Sequence, residues 1–335
     1  MYNSRRCFGF LALAMSFLLS NCTNEIHTLH ILHANINCSN LERSRSFYEM
    51  LGFLSLSPEI IDVDVSEVPA AGLRMPPYQL RTVPIMLLEG ALKDGYMIDL
   101  IEWTNPVDPS SPYEFVNHLG FSRLSLQTTN LDADMATLRA EGVVFFSEPA
   151  TIGRPVENSR LVCFKDPDGT LIELIELGDA VSGDPNPAGT HITAALRTNV
   201  NCSDYEQSKS FYEMLGFETQ GEDEEVGPPE LAAALGLPSY HVHVSTMALP
   251  EGHSLNLTKW EDPYDSSAPY ALVNHIGIPR VAILTSNLDA DITILKEQGV
   301  EFFSEAVRPE PPYDILRFVC FEDPDGTVIE LVQMF

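Results

Sequence analysis

The ten residues SRSFYEMLGF, from Ser44 to Phe53, return as SKSFYEMLGF from Ser208 to Phe217, with Arg45 exchanged for Lys209. A near-exact copy of this kind inside a chain of 335 residues marks an internal duplication. An offset of 164 carries His33 to Arg197 and Asn37-Cys38-Ser39 to Asn201-Cys202-Ser203. After a variable stretch an offset of 157 carries Trp103 to Trp260, Asn117-His118 to Asn274-His275, Arg123 to Arg280, and the turn Asp166 to Gly169 to the turn Asp323 to Gly326. The duplicated units span 27–178 and 191–335. The segment 179–190 between them, rich in Gly, Pro, Asp and Ser, has the composition of a linker.

Within each unit the pattern is strand, helix and strands, then the same again. Ser39 with Glu42, and Ser203 with Glu206, are spaced as capping boxes for a helix start, and Gly52 and Gly216 supply its left-handed stop. The second helix of each unit carries Leu131, Met135 and Leu138, or Leu288, Ile292 and Leu295, at helical spacing. The alternation in TLIELIEL and TVIELVQ predicts a last strand with every second side chain on one face. Four βαβββ modules of α+β class account for the chain.

The strand, SxxFYxxLGF helix and closing DPDGxxIEL strand, present twice, resemble the vicinal oxygen chelate superfamily, which includes glyoxalase I, extradiol dioxygenases and bleomycin-resistance proteins. The resemblance implies two tandem domains, each of two βαβββ modules forming a half-open barrel around a pocket. It also implies four inward-facing positions that in metal-dependent members hold a divalent ion with His or Gln, Glu, His and Glu. In the first unit these positions fall on His33, Asp99, Arg123 and Glu173, and in the second on Arg197, Asn256, Arg280 and Glu330.

A guanidinium has donors only and stays protonated, so the second set cannot hold a metal. The first set offers one imidazole and two carboxylates, with Arg123 where a histidine is expected. A glutamate in an apolar strand needs a positive partner, and either a metal or Arg123 can neutralise Glu173. Because Arg280 and Glu330 recur together where no metal can bind, a buried Arg–Glu ion pair in both units is the economical expectation.

Two functions lead at this point, ahead of a structural or interaction protein whose pockets are filled by side chains. One is a binding protein that holds a small polar or anionic organic molecule on Arg123, Arg197, Arg280, Glu330 and Asn256, without a cofactor. The other is a metal-dependent lyase or isomerase of the glyoxalase type or, below it, an extradiol dioxygenase, with Zn, Ni, Mn or Fe held by His33, Asp99 and Glu173. His241 and His243 alternate along a strand in a manner that suits a pocket wall. His27, His191, His118 and His275 recur between units as fold determinants.

The formal charge of -29, from 48 acidic against 19 basic residues, argues against a nucleic-acid partner. Residues 1–22, with Arg5-Arg6, an apolar run from Phe8 to Leu19, and Leu19-Ser20-Asn21-Cys22, resemble a bacterial lipoprotein export signal. That resemblance implies lipidation at Cys22 and a protein tethered to an envelope membrane. The arginine pair also fits a twin-arginine signal. Cys38, Cys163, Cys202 and Cys320, each flanked by apolar residues, are expected to be buried thiols.

Overall fold

Alternating apolar residues and capped amphipathic segments build the four modules in chain order. A computed structural model describes residues 25–87, 97–153, 156–311 and 313–335. The export signal and Cys22 lie outside the described residues. The first module holds β1 (Thr28–Asn37), α1 (Leu41–Met50), β2 (Phe53–Ser55), β3 (Ile61–Val65), α2 (Glu67–Ala71), β4 (Tyr78–Leu87) and β5 (Met97–Asn105). The second holds β6 (Gly120–Thr128), α3 (Leu131–Ala140), β7 (Ala150–Ile152), β8 (Ser159–Lys165) and β9 (Leu171–Glu176). The third holds β10 (Ile192–Asn201), α4 (Tyr205–Met214), β11 (Glu218–Val226), α5 (Pro229–Ala234), β12 (His241–Leu249) and β13 (Gly252–Asp262). The fourth holds β14 (Gly277–Thr285), α6 (Leu288–Glu297), β15 (Leu316–Glu322) and β16 (Val328–Met334).

The copied segment is the helix α1, and its counterpart α4. Tyr48 and Tyr212 are fully buried on these helices, and each phenol donates to the first aspartate of a DPDG turn, Asp166 or Asp323. The helix starts differ from the expected capping boxes. Asn40 and Asp204 cap α1 and α4 by accepting from the backbone N–H of Arg43 and Gln207. Ser39 and Ser203 instead bind the turn aspartates Asp168 and Asp325, so each tethers a helix to a distant turn. Gly52 and Gly216 do take positive φ at the helix ends. A Cβ on Gly216 would stand 2.6 Å from the Thr28 hydroxyl.

The sheets join modules across the duplication. β1 pairs antiparallel with β14, so the first and fourth modules share one eight-stranded sheet, ordered β15-β16-β14-β1-β5-β4-β2 with β3 on β4. β10 pairs antiparallel with β6, so the second and third modules share the other, ordered β11-β12-β13-β10-β6-β9-β8-β7. The two barrels therefore do not coincide with the contiguous units 27–178 and 191–335. β6 and β14 bury the same pattern of positions, so patterning lets β1 pair with either, and local anchors select one. The Thr190 hydroxyl donates to the Leu51 carbonyl at 3.0 Å, and the Thr28 hydroxyl to the Leu215 carbonyl at 2.7 Å. His27 meets Asp291 at 2.7 Å and His191 meets Asp134 at 2.9 Å, which fixes the start of β1 against α6 and of β10 against α3. The segment with the composition of a linker is thus held at its C-terminal end by Thr190.

Two apolar clusters repeat this division. Leu32, Tyr78 and Trp103 pack with Phe318 and Val328, while Leu161, Cys163 and Leu171 pack with Leu231 and Trp260. Cys38, Cys163, Cys202 and Cys320 are buried free thiols. Among the described residues no helix is long and apolar enough to cross a membrane.

Candidate functional site

Residues opposite each other on neighbouring strands share a face of a sheet, so register decides which polar groups meet. On the first sheet Asp99, Asn35 and Arg280 form one row across β5, β1 and β14. His33, Ala282 and Glu330 form the next row across β1, β14 and β16. On the second sheet the equivalent rows are Asn256, Asn199 and Arg123, then Arg197, Ser125 and Glu173. Each sheet curls around a cavity that these rows line, of about 280 Å³ in the first and about 370 Å³ in the second.

The eight candidate positions are therefore regrouped. His33 and Asp99 face Arg280 and Glu330, whereas Arg123 and Glu173 face Arg197 and Asn256. The expected set of His33, Asp99 and Glu173 does not assemble, because Glu173 belongs to the other sheet. Nor do Arg197 and Arg280 share a pocket. Both Arg–Glu pairs form within their own modules: Arg123 Nε donates to Glu173 at 2.6 Å, and Arg280 Nε to Glu330 at 3.0 Å.

Regrouping leaves an imidazole and two carboxylates, His33, Asp99 and Glu330, in the first cavity. Arg280 holds the fourth position, engages an oxygen of Glu330 and sets a permanent positive charge beside any dication. Among the described residues no three His, Cys, Asp or Glu side chains gather closely enough to hold an ion. This donor set does not fit a metal, and no metal-dependent step is derived from it. Burial holds the His33 imidazole below its usual range, against the opposing pull of Asp99, so it is uncharged at neutral pH. Burial also raises the Asp99 carboxyl, which accepts a hydrogen bond from the Thr82 hydroxyl.

The second cavity is different. Arg123 is neutralised by Glu173, but Arg197 exposes only 6% of its surface and finds no ion-pair partner among the described residues. Its Nε is buried without a hydrogen bond. Burial lowers its pKa, opposed by the field of Glu173. Asn256 accepts from the Thr246 hydroxyl at 3.0 Å, and Tyr240 donates to Glu225 at 3.0 Å on the same wall. Trp260, Leu231 and Leu235 supply the apolar side.

Tyr240, Thr246 and Thr82 were missed in the sequence because they lie in the stretch where the residues of the two units differ most, although the offset of 164 carries Thr82 to Thr246 and the two hydroxyls make equivalent bonds to Asp99 and Asn256. His241 and His243 turn away from the cavity, towards Glu224 at 2.9 Å and Glu222 at 3.1 Å. The inward side chains of β12 are Val244 and Thr246, the opposite phase of the alternation. Cys22 has no described position.

Comparison with known proteins agrees with this architecture. Residues 191–331 match the family model of the Glyoxalase/Bleomycin resistance protein/Dioxygenase superfamily. A protein of Bacillus subtilis strain 168, the uncharacterized protein YwkD, is 32% identical over 136 residues, covering 39% of this chain and 90% of the relative. The chain belongs to the glyoxalase/bleomycin resistance protein/dioxygenase superfamily. Among solved structures, a glyoxalase I variant from Zea mays is similar over 92% of this chain and 94% of its own, with a TM-score of 0.62 and 20% identity. A putative dioxygenase from Bacillus subtilis covers 92% of this chain and 86% of its own, with a TM-score of 0.59 and 12% identity. At these identities the two structures speak for the superfamily fold alone.

Proposed function

We propose that this superfamily member binds a small anionic organic molecule, a carboxylate or phosphonate, in the cavity of the second sheet, without a metal. One observation carries the reading: the buried guanidinium of Arg197 has no counter-charge of its own. An unpaired buried charge costs several kcal/mol, and an oxyanion offers both the charge and the paired acceptors that a guanidinium fork matches. Asn256 and Thr246 stand ready for a second polar group, and Trp260 with Leu231 and Leu235 for an apolar body. The test is calorimetric titration with phenylphosphonate and with benzoate. Arg197→Gln should weaken binding about 10- to 100-fold, the worth of a charge-assisted hydrogen bond. Wild-type protein that binds neither anion, or an Arg197→Gln protein that binds both equally well, contradicts the reading.

We further propose that the chain is exported and tethered to the bacterial cell envelope through a lipid on Cys22, since an apolar run from Phe8 to Leu19 is followed by Ser20-Asn21-Cys22. Detergent partitioning of the wild type and Cys22→Ala tests it. Equal partitioning of both into the aqueous phase rejects the anchor.

A further inference from the structure

The duplicated cavities keep the same Arg–Glu pair and differ at the two other polar positions. Where the second has Arg197 and Asn256, the first has His33 and Asp99. The exchange inverts the sign of the group left without a partner. In the first cavity Arg280 pairs with Glu330 through Nε, burial disfavours a charge on His33, and the group left without a cation is Asp99, whose carboxyl burial raises and an incoming cation would ionise. Among the described residues Asp99 accepts a hydrogen bond from Thr82 and has no arginine or lysine at ion-pair distance. Most of the rest of the wall is apolar, with Val63, Leu73, Leu80, Met97, Ile101 and Phe318 around a space of about 280 Å³, and Tyr313 adds a buried hydroxyl without a hydrogen-bond partner among the described residues. Asp64 and Glu310, both exposed, add negative charge at the mouth.

We propose that the first cavity is a second ligand site of opposite preference, which takes an organic amine with an apolar body and seats its ammonium group on Asp99. A carboxylate left in an apolar wall without a cation has the same unmet need as Arg197, with the sign reversed. An ammonium group meets it with charge and donors together, a neutral hydroxyl with a donor only, and an oxyanion with neither. This inference rests on the first sheet and stands or falls apart from the anion reading.

The two tryptophans of the chain report on the two cavities separately. Trp260 lines the second, while Trp103 packs on Tyr78, a wall residue of the first, with ring centroids 4.7 Å apart. The experiment titrates 4-methylbenzylamine, 4-methylbenzyl alcohol and 4-methylbenzoate into full-length protein carrying Trp260→Phe, reading Trp103 fluorescence, and into the reciprocal Trp103→Phe protein. The amine should perturb Trp103 and bind at least about 10-fold tighter than the alcohol, the least that a charge-assisted bond adds. The benzoate should leave Trp103 unchanged. Asp99→Asn, whose amide oxygen still accepts from Thr82, should abolish the preference for amine over alcohol. His33→Arg with Asp99→Asn should move the preference to the benzoate. Equal binding of amine and alcohol by Trp260→Phe protein, or an amine response confined to Trp260, overturns the proposal, and neither result depends on whether the Asp99 variants fold. A benzoate response at Trp260 alone bears on the anion site and leaves this result unchanged.

Discussion

The backbone N–H of Tyr113 donates to the Tyr270 phenol at 3.0 Å, and the backbone N–H of Tyr270 donates to the Tyr113 phenol at 3.0 Å, while their rings stack with centroids 3.9 Å apart. His118 and His275 extend the stack on either side, at 3.8 and 4.1 Å. Tyr113 lies between β5 and β6 and Tyr270 between β13 and β14, the two places where the chain passes from one sheet to the other. One reciprocal contact therefore joins both crossings.

Tyr113→Phe and Tyr270→Phe keep the ring stack and remove one acceptor each. Leaving a buried N–H unpaired should cost about 1–3 kcal/mol in each variant. The two bonds share one contact, so the double variant should lose measurably less or more than the sum of the singles, a coupling of about 0.5 kcal/mol or above. Urea unfolding midpoints give both quantities. Variants as stable as wild type would show that the contact is incidental to the fastening of the sheets.

The two ion pairs predict unequal penalties. Arg280→Met leaves Glu330 buried with no second arginine or lysine at ion-pair distance among the described residues, and should cost about 3–5 kcal/mol. Arg123→Met leaves Glu173 within the field of Arg197, which stands beside it as a spare cation, so the loss should be smaller. Replacing both members, as in Arg280→Met with Glu330→Leu, should recover most of the stability, because no uncompensated charge remains. Denaturant titration of the three variants decides the order.

Much of this arrangement is legible in the residues, and the rest is hidden for definable reasons. The SxxFYxxLGF helix, its left-handed glycine and the alternation of TLIELIEL depend on local geometry, and they locate the Arg and Glu positions on the correct strands. Module pairing depends on contacts such as Thr190 with Leu51 and Thr28 with Leu215, between residues 139 and 187 apart in the chain, for which a repeated pattern gives no signal. Strand phase failed at His241 and His243 for a related reason: a strand of alternating polar and apolar residues does not say which set faces the concave side when both faces are covered.

Stability should also depend on pH through the two DPDG turns. Burial raises the carboxyls of Asp166 and Asp323 to about 6, although each accepts two backbone N–H bonds and a tyrosine hydroxyl. The folded pKa lies above that of the unfolded chain, so the folded state binds the proton more tightly. Its contribution is fully present below about 4 and is lost as pH rises through about 6. A shift of about 2 units corresponds to about 3 kcal/mol for each aspartate. Asp166→Asn does not titrate. Its stability relative to wild type should therefore fall by about 2–3 kcal/mol between pH 7 and pH 4, as read by urea midpoints at each pH. A difference that stays flat across this window would mean that the hydrogen bonds outweigh burial.

The regrouping of the eight positions decides where a metal centre can be built. Arg123 stands where a histidine is expected in the contiguous unit, yet its neighbours are Glu173, Arg197 and Asn256, so Arg123→His adds one imidazole beside a carboxylate and a remaining guanidinium. Arg280→His places an imidazole with His33, Asp99 and Glu330, removes the charge that opposes a dication, and frees the oxygens of Glu330 for coordination. Two imidazoles and two carboxylates form a donor set that suits zinc or nickel. The expected outcome is that Arg280→His binds zinc at least about 100-fold more tightly than wild type, a gain of about 3 kcal/mol, whereas Arg123→His remains as weak as wild type. Titration calorimetry measures the affinities, and His33→Ala in the Arg280→His background should remove the gain. Tight zinc binding by Arg123→His instead would place Glu173 with His33 and Asp99, and would refute the pairing of the first module with the fourth.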